Sequence, residues 1–392
     1  MRSFYAESRL LTNRKLKEEL GVELLFPTYR EGQAAQLEEE RRLGIVPAAA
    51  PSTPVLASRP AAATTGSGRT VFLVDNGSVR AAATLSLRSL AASLQQRLGD
   101  GTTVVAASAR WSDRVEPEEL GGERAALLLP SLRSHVLDAD GPQARHVIVS
   151  PLFVGPSATV SEFIPTQLRT VDAEFRARGG RSSELRLELA PSLVCLCPFI
   201  EQTLPPERRG EARLAEILQE RVTEAVAGAG GGPCRPVVAL VDHGTPSPAV
   251  NRVRGHVAEQ LRARLVGDGG ADASALEVVA CSMERREGPE FAFNEPLLED
   301  ILSYPPVAAT DPATTPLVLA MLFLQPGKHA GAGGDVDQLV EEAQRRWAEE
   351  GTGEARVARR VLKTGLLAPH PLLIDLLVRA DRPSAHAIVL LC

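Results

Sequence analysis

The chain has 392 residues, a formal net charge of -6, 44% hydrophobic and 23% charged residues, which is enough length and apolar content for two ordinary domains. The acidic balance and 4% aromatic content exclude the basic stripe and stacking platform of a nucleic-acid-binding surface. No apolar run approaches the roughly 20 residues of a membrane span, the N-terminus lacks a charged-then-apolar signal layout, and the five cysteines read as reduced thiols of a cytoplasmic protein.

The first predicted element is a helix at Asn13-Arg14-Lys15-Leu16-Lys17-Glu18-Glu19-Leu20-Gly21, with an Asn cap, Leu16 and Leu20 on one face and a closing glycine. The stretch from Arg2-Ser3-Phe4-Tyr5 to Tyr29-Arg30-Glu31-Gly32 resembles the C-terminal tail of short-chain-dehydrogenase-like sugar epimerases. No Gly-rich dinucleotide turn precedes it, so residues 1–35 are read as a fusion remnant or a misplaced gene start. Residues 36–69 begin charged and become Pro/Ala/Ser/Thr-rich from Val46 to Gly68, a linker composition that buries no core. Cys195-Leu196-Cys197 has a single intervening residue and no partner pair, which makes a poor zinc knuckle.

Two stretches follow, 70–228 and 233–392, separated by Gly228-Ala229-Gly230-Gly231-Gly232-Pro233. In the second, strands are predicted at 236–241, 276–281, 317–324 and 355–362, with helices at 249–265, 296–302, 335–350 and 371–380. Near-continuous apolar strands are buried on both faces. Each stretch is therefore an α/β unit: a mainly parallel sheet with helices on both faces, binding ligands at the carboxyl ends of its strands.

The two stretches are one unit written twice. Val71-Phe72-Leu73-Val74-Asp75-Asn76-Gly77-Ser78 matches Val238-Ala239-Leu240-Val241-Asp242-His243-Gly244-Thr245. Val104-Val105-Ala106-Ala107-Ser108 matches Val278-Val279-Ala280-Cys281-Ser282, and Ser150-Pro151-Leu152-Phe153 matches Ala320-Met321-Leu322-Phe323. A further pair is Ala190-Pro191-Ser192-Leu193 and Ala368-Pro369-His370-Pro371. Asn76 precedes Phe153 by 77 positions, and His243 precedes Phe323 by 80. A fixed internal repeat outranks any single-motif reading. The copies differ in their histidines: Asn76 stands against His243, and the Ser157-Ala158 region stands against His329.

Two histidines gained or lost together at strand ends point to one metal site in the second copy. Glu284, in Ser282-Met283-Glu284-Arg285, ends the intervening strand and is the third candidate. Imidazoles with one carboxylate suit a divalent first-row metal with open positions. A lone histidine after a strand is more often a cap, and Glu284 among Arg285, Arg286 and Glu287 is more often a solvated charge. Asp242 either orients an imidazole or caps a helix. Gly331-Ala332-Gly333-Gly334-Asp335 is either a turn or an anion cradle at a helix start. His135, His146, His256, His370 and His386 are read as structural.

At these residues the chain resembles the ATP-independent class II tetrapyrrole chelatases, in particular the sirohydrochlorin ferro- and cobaltochelatase group. The resemblance rests on Asp242-His243-Gly244-Thr245, on Phe323-Leu324-Gln325-Pro326-Gly327-Lys328-His329 followed by Asp335-Val336, and on Ser282-Met283-Glu284. It extends to Asn294-Glu295-Pro296-Leu297 and Ala368-Pro369-His370-Pro371-Leu372-Leu373, and covers about 70–392. It implies two chelatase-like three-layer halves facing each other across a cleft that holds one macrocycle. It also implies that His243, His329 and Glu284 take the incoming Co2+ or Fe2+, a substrate rather than a tightly bound cofactor, and accept pyrrole protons. Cations such as Arg252, Arg254, Arg285 and Lys328 would then hold the tetrapyrrole carboxylates. Two departures stand out: residues 287–293 resemble an insertion, and 331–334 lengthen the loop after His329. A non-catalytic tetrapyrrole or metal carrier with the same cleft is the other reading, and a scaffold module fused to an epimerase is a third.

Overall fold

The computed structural model of the protein describes residues 69–138, 145–181, 183–194, 209–229, 236–266, 277–303, 315–350 and 360–381. The epimerase-tail-like segment, the linker up to residue 68, His386 and every cysteine but Cys281 lie outside them. The first half runs β1 (Arg69–Asp75), α1 (Ala81–Leu98), β2 (Thr102–Ser108), α2 (Leu128–Leu137), β3 (Arg145–Pro151), α3 (Ile164–Ala177), β4 (Leu185–Leu189) and α4 (Gly210–Gly228). The second repeats it with β5 (Val237–Asp242), α5 (Pro248–Val266), β6 (Val278–Ser282), α6 (Leu298–Ser303), β7 (Leu317–Met321), α7 (Asp335–Glu350), β8 (Val361–Lys363) and α8 (Pro371–Asp381).

Each half forms one four-stranded sheet, ordered β2-β1-β3-β4 and β6-β5-β7-β8. Every pairing is parallel. The two halves therefore have the same strand order. Apolar strand residues alternate between two cores because side chains on a pleat point to opposite faces. Phe72 and Val74 pack with α2 and α3, while Val71 and Leu73 face a central layer. Val237, Ala239 and Val241 pack with α6 and α7, and Val238 and Leu240 share that same central layer. The middle layer comprises α1, α4, α5 and α8.

The last helix of each half packs on the other half's sheet. Helix α4 lies on β7 and β8, and α8 lies on α1 and β3. Arg221 on α4 donates to the Leu366 and Pro369 carbonyls at 3.3 and 3.2 Å, and His370 meets Glu220 at 3.1 Å. Across the other contact, Arg97 on α1 pairs with Asp375 on α8 at 3.0 Å. The halves are therefore interlocked rather than merely tandem. Backbone bonding also corrects one landmark. Leu193 N donates to Phe153 O and Leu367 N to Phe323 O, at 2.9 and 3.0 Å, so Leu193 matches Leu367 and its neighbours match 364–366, not 368–371.

Among the described residues no helix is long and apolar enough to cross a membrane. Exchange of the terminal helices makes the halves one cooperative unit. Leu218→Ala on α4, at a fully buried position, is expected to cost about 2–5 kcal/mol. The two tryptophans, Trp111 and Trp347, sit one in each half, so the variants Trp111→Phe and Trp347→Phe each report a single half. Urea midpoints read from both should coincide and fall together with Leu218→Ala; separate midpoints would contradict the interlock.

Candidate functional site

The turn after β5 is built around a close backbone approach. Gly244 has φ of 89°, and an added Cβ would lie 1.9 Å from the Glu284 carbonyl oxygen. Only glycine fits there. Met283 N donates to Asp242 O at 2.7 Å and Glu284 N to His243 O at 3.3 Å, so the turns after β5 and β6 are laced together. His243 and Glu284 are thereby held side by side, with Nε2 to Oε1 at 3.3 Å. Strand β7 is the other neighbour of β5, and the loop that follows it brings in His329. The two imidazole rings lie 4.3 Å apart between centroids, at 52°. Sequence reasoning had placed these residues at three strand ends, and the sheet order 6-5-7 puts those ends next to one another.

The two imidazoles differ in their hydrogen-bond partners. The Nδ1 of His329 lies 2.6 Å from Asp335 Oδ2, so Nδ1 is the donor and Nε2 is the acceptor of the neutral ring. The Nδ1 of His243 faces the Gly244 carbonyl at 3.2 Å and its Nε2 faces the Glu284 carboxylate at 3.3 Å, so an acceptor stands at each ring nitrogen. At this distance His243 Nε2 and the Glu284 carboxylate can share a proton or a cation. Burial, and next the neighbouring His329, push the His243 pKa below its ordinary value, and the charge of Glu284 only partly offsets this. Burial acts to raise Asp335, but the His329 hydrogen bond and the charges of His329 and Lys328 hold its carboxyl below the usual range.

A buried polar network supports the His243 turn. Asp242 accepts from Ser282 Oγ at 2.6 Å and from Gly244 N at 3.1 Å. Arg254 donates to Ser282 Oγ, to Asn294 O at 2.9 Å and to Phe293 O at 3.3 Å. Asn294 grips Thr245 at both N and O, at 3.0 and 2.9 Å. Asp242 is thus a turn brace rather than an imidazole orienter; its pKa is raised by burial and pulled back in part by Ser282 and Arg254. Arg254 is 6% exposed and part of this brace, which corrects its reading as a substrate cation. The orienting carboxylate is Asp335, on the other histidine. Sequence reasoning missed Asn294 as a brace, although the segment 294–297 had been singled out.

The remaining candidates separate. Arg285 pairs with Glu295 at 3.0 Å and donates to the carbonyls of Arg286 and Gly288, and Lys328 pairs with Asp335 at 3.5 Å. Arg252 is exposed on α5. The glycine loop is no anion cradle: Gly333 N donates to Asp337, Gly334 N to Gly331 O and Asp335 N to Lys328 O. Cys281 is buried, and burial pushes its thiol up to about 12, so it is neither nucleophile nor ligand at neutral pH. Among the described residues no group of three His, Cys, Asp or Glu forms a ready-made metal cage. What is present is an imidazole pair with one carboxylate beside it, half exposed: His243 is 48% and Glu284 58% exposed at the side chain.

The matching position in the first half carries no imidazole. Ser161 N to Ser157 O and Gly331 N to Gly327 O are equivalent bonds, at 2.9 and 3.0 Å, which sets Thr159, not Ser157-Ala158, against His329. Thr159 Oγ1 donates to Asn76 Oδ1 at 3.3 Å, so a neutral hydrogen-bonded pair stands where the second half has its histidines.

No family model matches the sequence, and no curated protein does. The fold does match solved structures. SirB from Bacillus subtilis with Fe3+ superposes at a TM-score of 0.52 with 14% identity, covering 80% of this chain and 94% of that one. The sirohydrochlorin chelatase SirB from Bacillus subtilis subspecies spizizenii in complex with cobalt gives 0.50 and 13%, covering 82% and 98%. The chain shares their α/β architecture of paired parallel sheets surrounded by helices.

Histidine titration followed by NMR should place the His243 pKa below the ordinary 6.5. Glu284→Gln removes the charge that favours the imidazolium and should move it lower still. A His243 pKa above 6.5, or one that rises in Glu284→Gln, would contradict the electrostatics described.

Proposed function

We propose that the chain inserts a divalent metal, Co2+ or Fe2+, into sirohydrochlorin or a related tetrapyrrole without ATP, as a chelatase. The observation that carries this reading is the imidazole pair with Glu284 at the adjoining ends of β5, β6 and β7. The likeness to structures named as a sirohydrochlorin chelatase with iron or cobalt supports it, at the level of fold.

Insertion exchanges two pyrrolic protons for one dication. Groups are needed that hold a metal loosely and accept protons near neutral pH. Neutral imidazoles do both, since their ordinary pKa of about 6.5 lies near neutrality. In this reading His243 Nε2 and His329 Nε2 receive the metal with Glu284 beside them, and as the metal passes to the macrocycle Glu284 accepts one of the two pyrrolic protons and His329 Nε2 the other. As that proton arrives, His329 becomes imidazolium, and the Asp335 carboxylate at 2.6 Å stabilises it. The absence of a closed cage among the described residues fits a substrate metal, which must leave the protein for the macrocycle. The same openness also fits the second reading, a carrier that hands on metal or macrocycle.

Turnover separates the two. Purified protein, sirohydrochlorin and Co2+ are followed anaerobically by absorbance. A chelatase gives many equivalents of metallated product above the spontaneous rate, and His243→Ala or His329→Ala loses it by 10²-fold or more, the scale of removing a catalytic acid–base group. Product that stops at one equivalent establishes the carrier. Full activity in both alanine variants would overturn the site assignment. Asp335→Asn should lower kcat by at least tenfold with KM little changed, because the imidazolium loses its counter-charge; unchanged kcat would remove Asp335 from the mechanism.

A further inference from the structure

The degenerate site of the first half has not simply been emptied. The close approach of Gly244 to Glu284 has its counterpart in Gly77, whose added Cβ would lie 1.6 Å from the Arg110 carbonyl oxygen. Ala109 N donates to Asp75 O and Arg110 N to Asn76 O, at 2.9 and 3.2 Å, as Met283 and Glu284 do in the second half. Arg110 therefore occupies the position of Glu284. Where one half offers two imidazoles and a carboxylate, the other offers Asn76, Thr159 and a guanidinium. The charge of the site has been reversed.

The surroundings agree with that change. The Arg110 guanidinium lies 4.0 Å above the centre of the Phe163 ring and has no carboxylate partner among the described residues. A cation seated on a ring face is held in place while its N–H fork stays available. The next residue, Trp111, has φ of 69°, a conformation costly for a bulky side chain, and is 43% exposed. Arg114 stacks on its ring at 4.6 Å. Val79, in the turn after β1, is 52% exposed. Exposed apolar surface and unpaired cations thus collect in the two loops that carry Asn76 and Arg110.

These loops adjoin the histidine site. An added Cβ on Gly327, two residues before His329, would lie 3.8 Å from Ser78 Oγ. A flat, largely apolar ligand edged with carboxylates fits such a surface: its face on Trp111 and Val79, a carboxylate on Arg110 and the Asn76 amide. We propose that Arg110, with Asn76 beside it, is the anchor for a carboxylate of the tetrapyrrole substrate, so that the first copy's former metal site has become a substrate-binding site. This rests on the proposed function for the identity of the macrocycle, and on the first half's own geometry for the anchor.

The test is binding without metal or turnover. Metal-free uroporphyrin, a planar tetrapyrrole whose side chains end in carboxylates, is titrated into the full chain and followed by the shift of its main absorption band. Arg110→Gln should raise Kd about tenfold or more, the scale of a charge-assisted hydrogen-bond pair, with an unchanged melting temperature. Arg110→Lys should fall between, keeping the charge and losing the fork. The methyl ester of uroporphyrin should bind wild type and Arg110→Gln alike. A Kd within twofold of wild type for Arg110→Gln overturns the proposal, as does a lowered melting temperature with unchanged Kd, which would make Arg110 a clamp on Phe163 only. Arg110-dependent binding in a protein that gives no metallated product would sink the chelatase reading and leave the anchor standing. Turnover with Arg110-independent binding would do the reverse.

Discussion

The arrangement depends on a backbone contact too tight for any side chain. The turn after the first strand of each half presses against the turn after the second, at Gly244 on Glu284 and at Gly77 on Arg110. Because those turns are laced by main-chain hydrogen bonds, the residue before each glycine and the residue opposite must stand side by side whatever they are. The scaffold fixes positions and leaves chemistry to the side chains. The two halves thus present the same turn geometry with different side chains, two imidazoles with a carboxylate in one and neutral groups with a guanidinium in the other.

The support beneath each site has diverged in the same direction. Asp242 is braced by Ser282 and has Arg254 at 3.8 Å from the helix behind it. Counting from the strand end, the first half has Leu87 in the place of Arg254, so Asp75 lacks that cation. Burial accordingly pushes Asp75 up to about 6, with Ser108 and the Gly77 amide offsetting only part. Its contact to the other half is Gln325, which with its amide turned to suit its neighbours donates to Asp75 Oδ2 at 3.1 Å. Gly155, the first-half counterpart of Gln325, instead lies against Val253 and Val250 of α5. The loops after β3 and β7 therefore each reach the helix of the opposite half, and the exchanged helices α4 and α8 secure that relation from behind.

Much of this was legible in the sequence because buried parallel strands leave unbroken apolar runs, and because a His-Gly or Asn-Gly directly after such a run marks a strand end. His243, His329 and Glu284 were accessible on those grounds, and β5, β6 and β7 lie within a few residues of expectation. The strand expected at 317–324 overshot because Leu322, Phe323 and Leu324 are apolar yet lie beyond the ladder, packing as loop. Helix exchange was not legible, since the apolar faces of α4 and α8 suit either sheet equally. The burial of Arg254 was hidden too, because a charged residue on a helix reads as exposed until a carboxylate and two carbonyls are seen to surround it. The matching of Thr159 to His329 was within reach of the sequence, since Thr159 follows Phe153 and His329 follows Phe323 by 6 positions each.

The proposed chemistry requires that the imidazole pair receive the metal. X-ray absorption at the cobalt edge, on the full chain loaded with Co2+, measures that directly. The prediction is a first shell containing imidazole nitrogens from both histidines, each of His243→Ala and His329→Ala losing one imidazole's scattering. A shell of oxygen alone, or one unchanged when both histidines are replaced, would place the metal elsewhere and contradict the account.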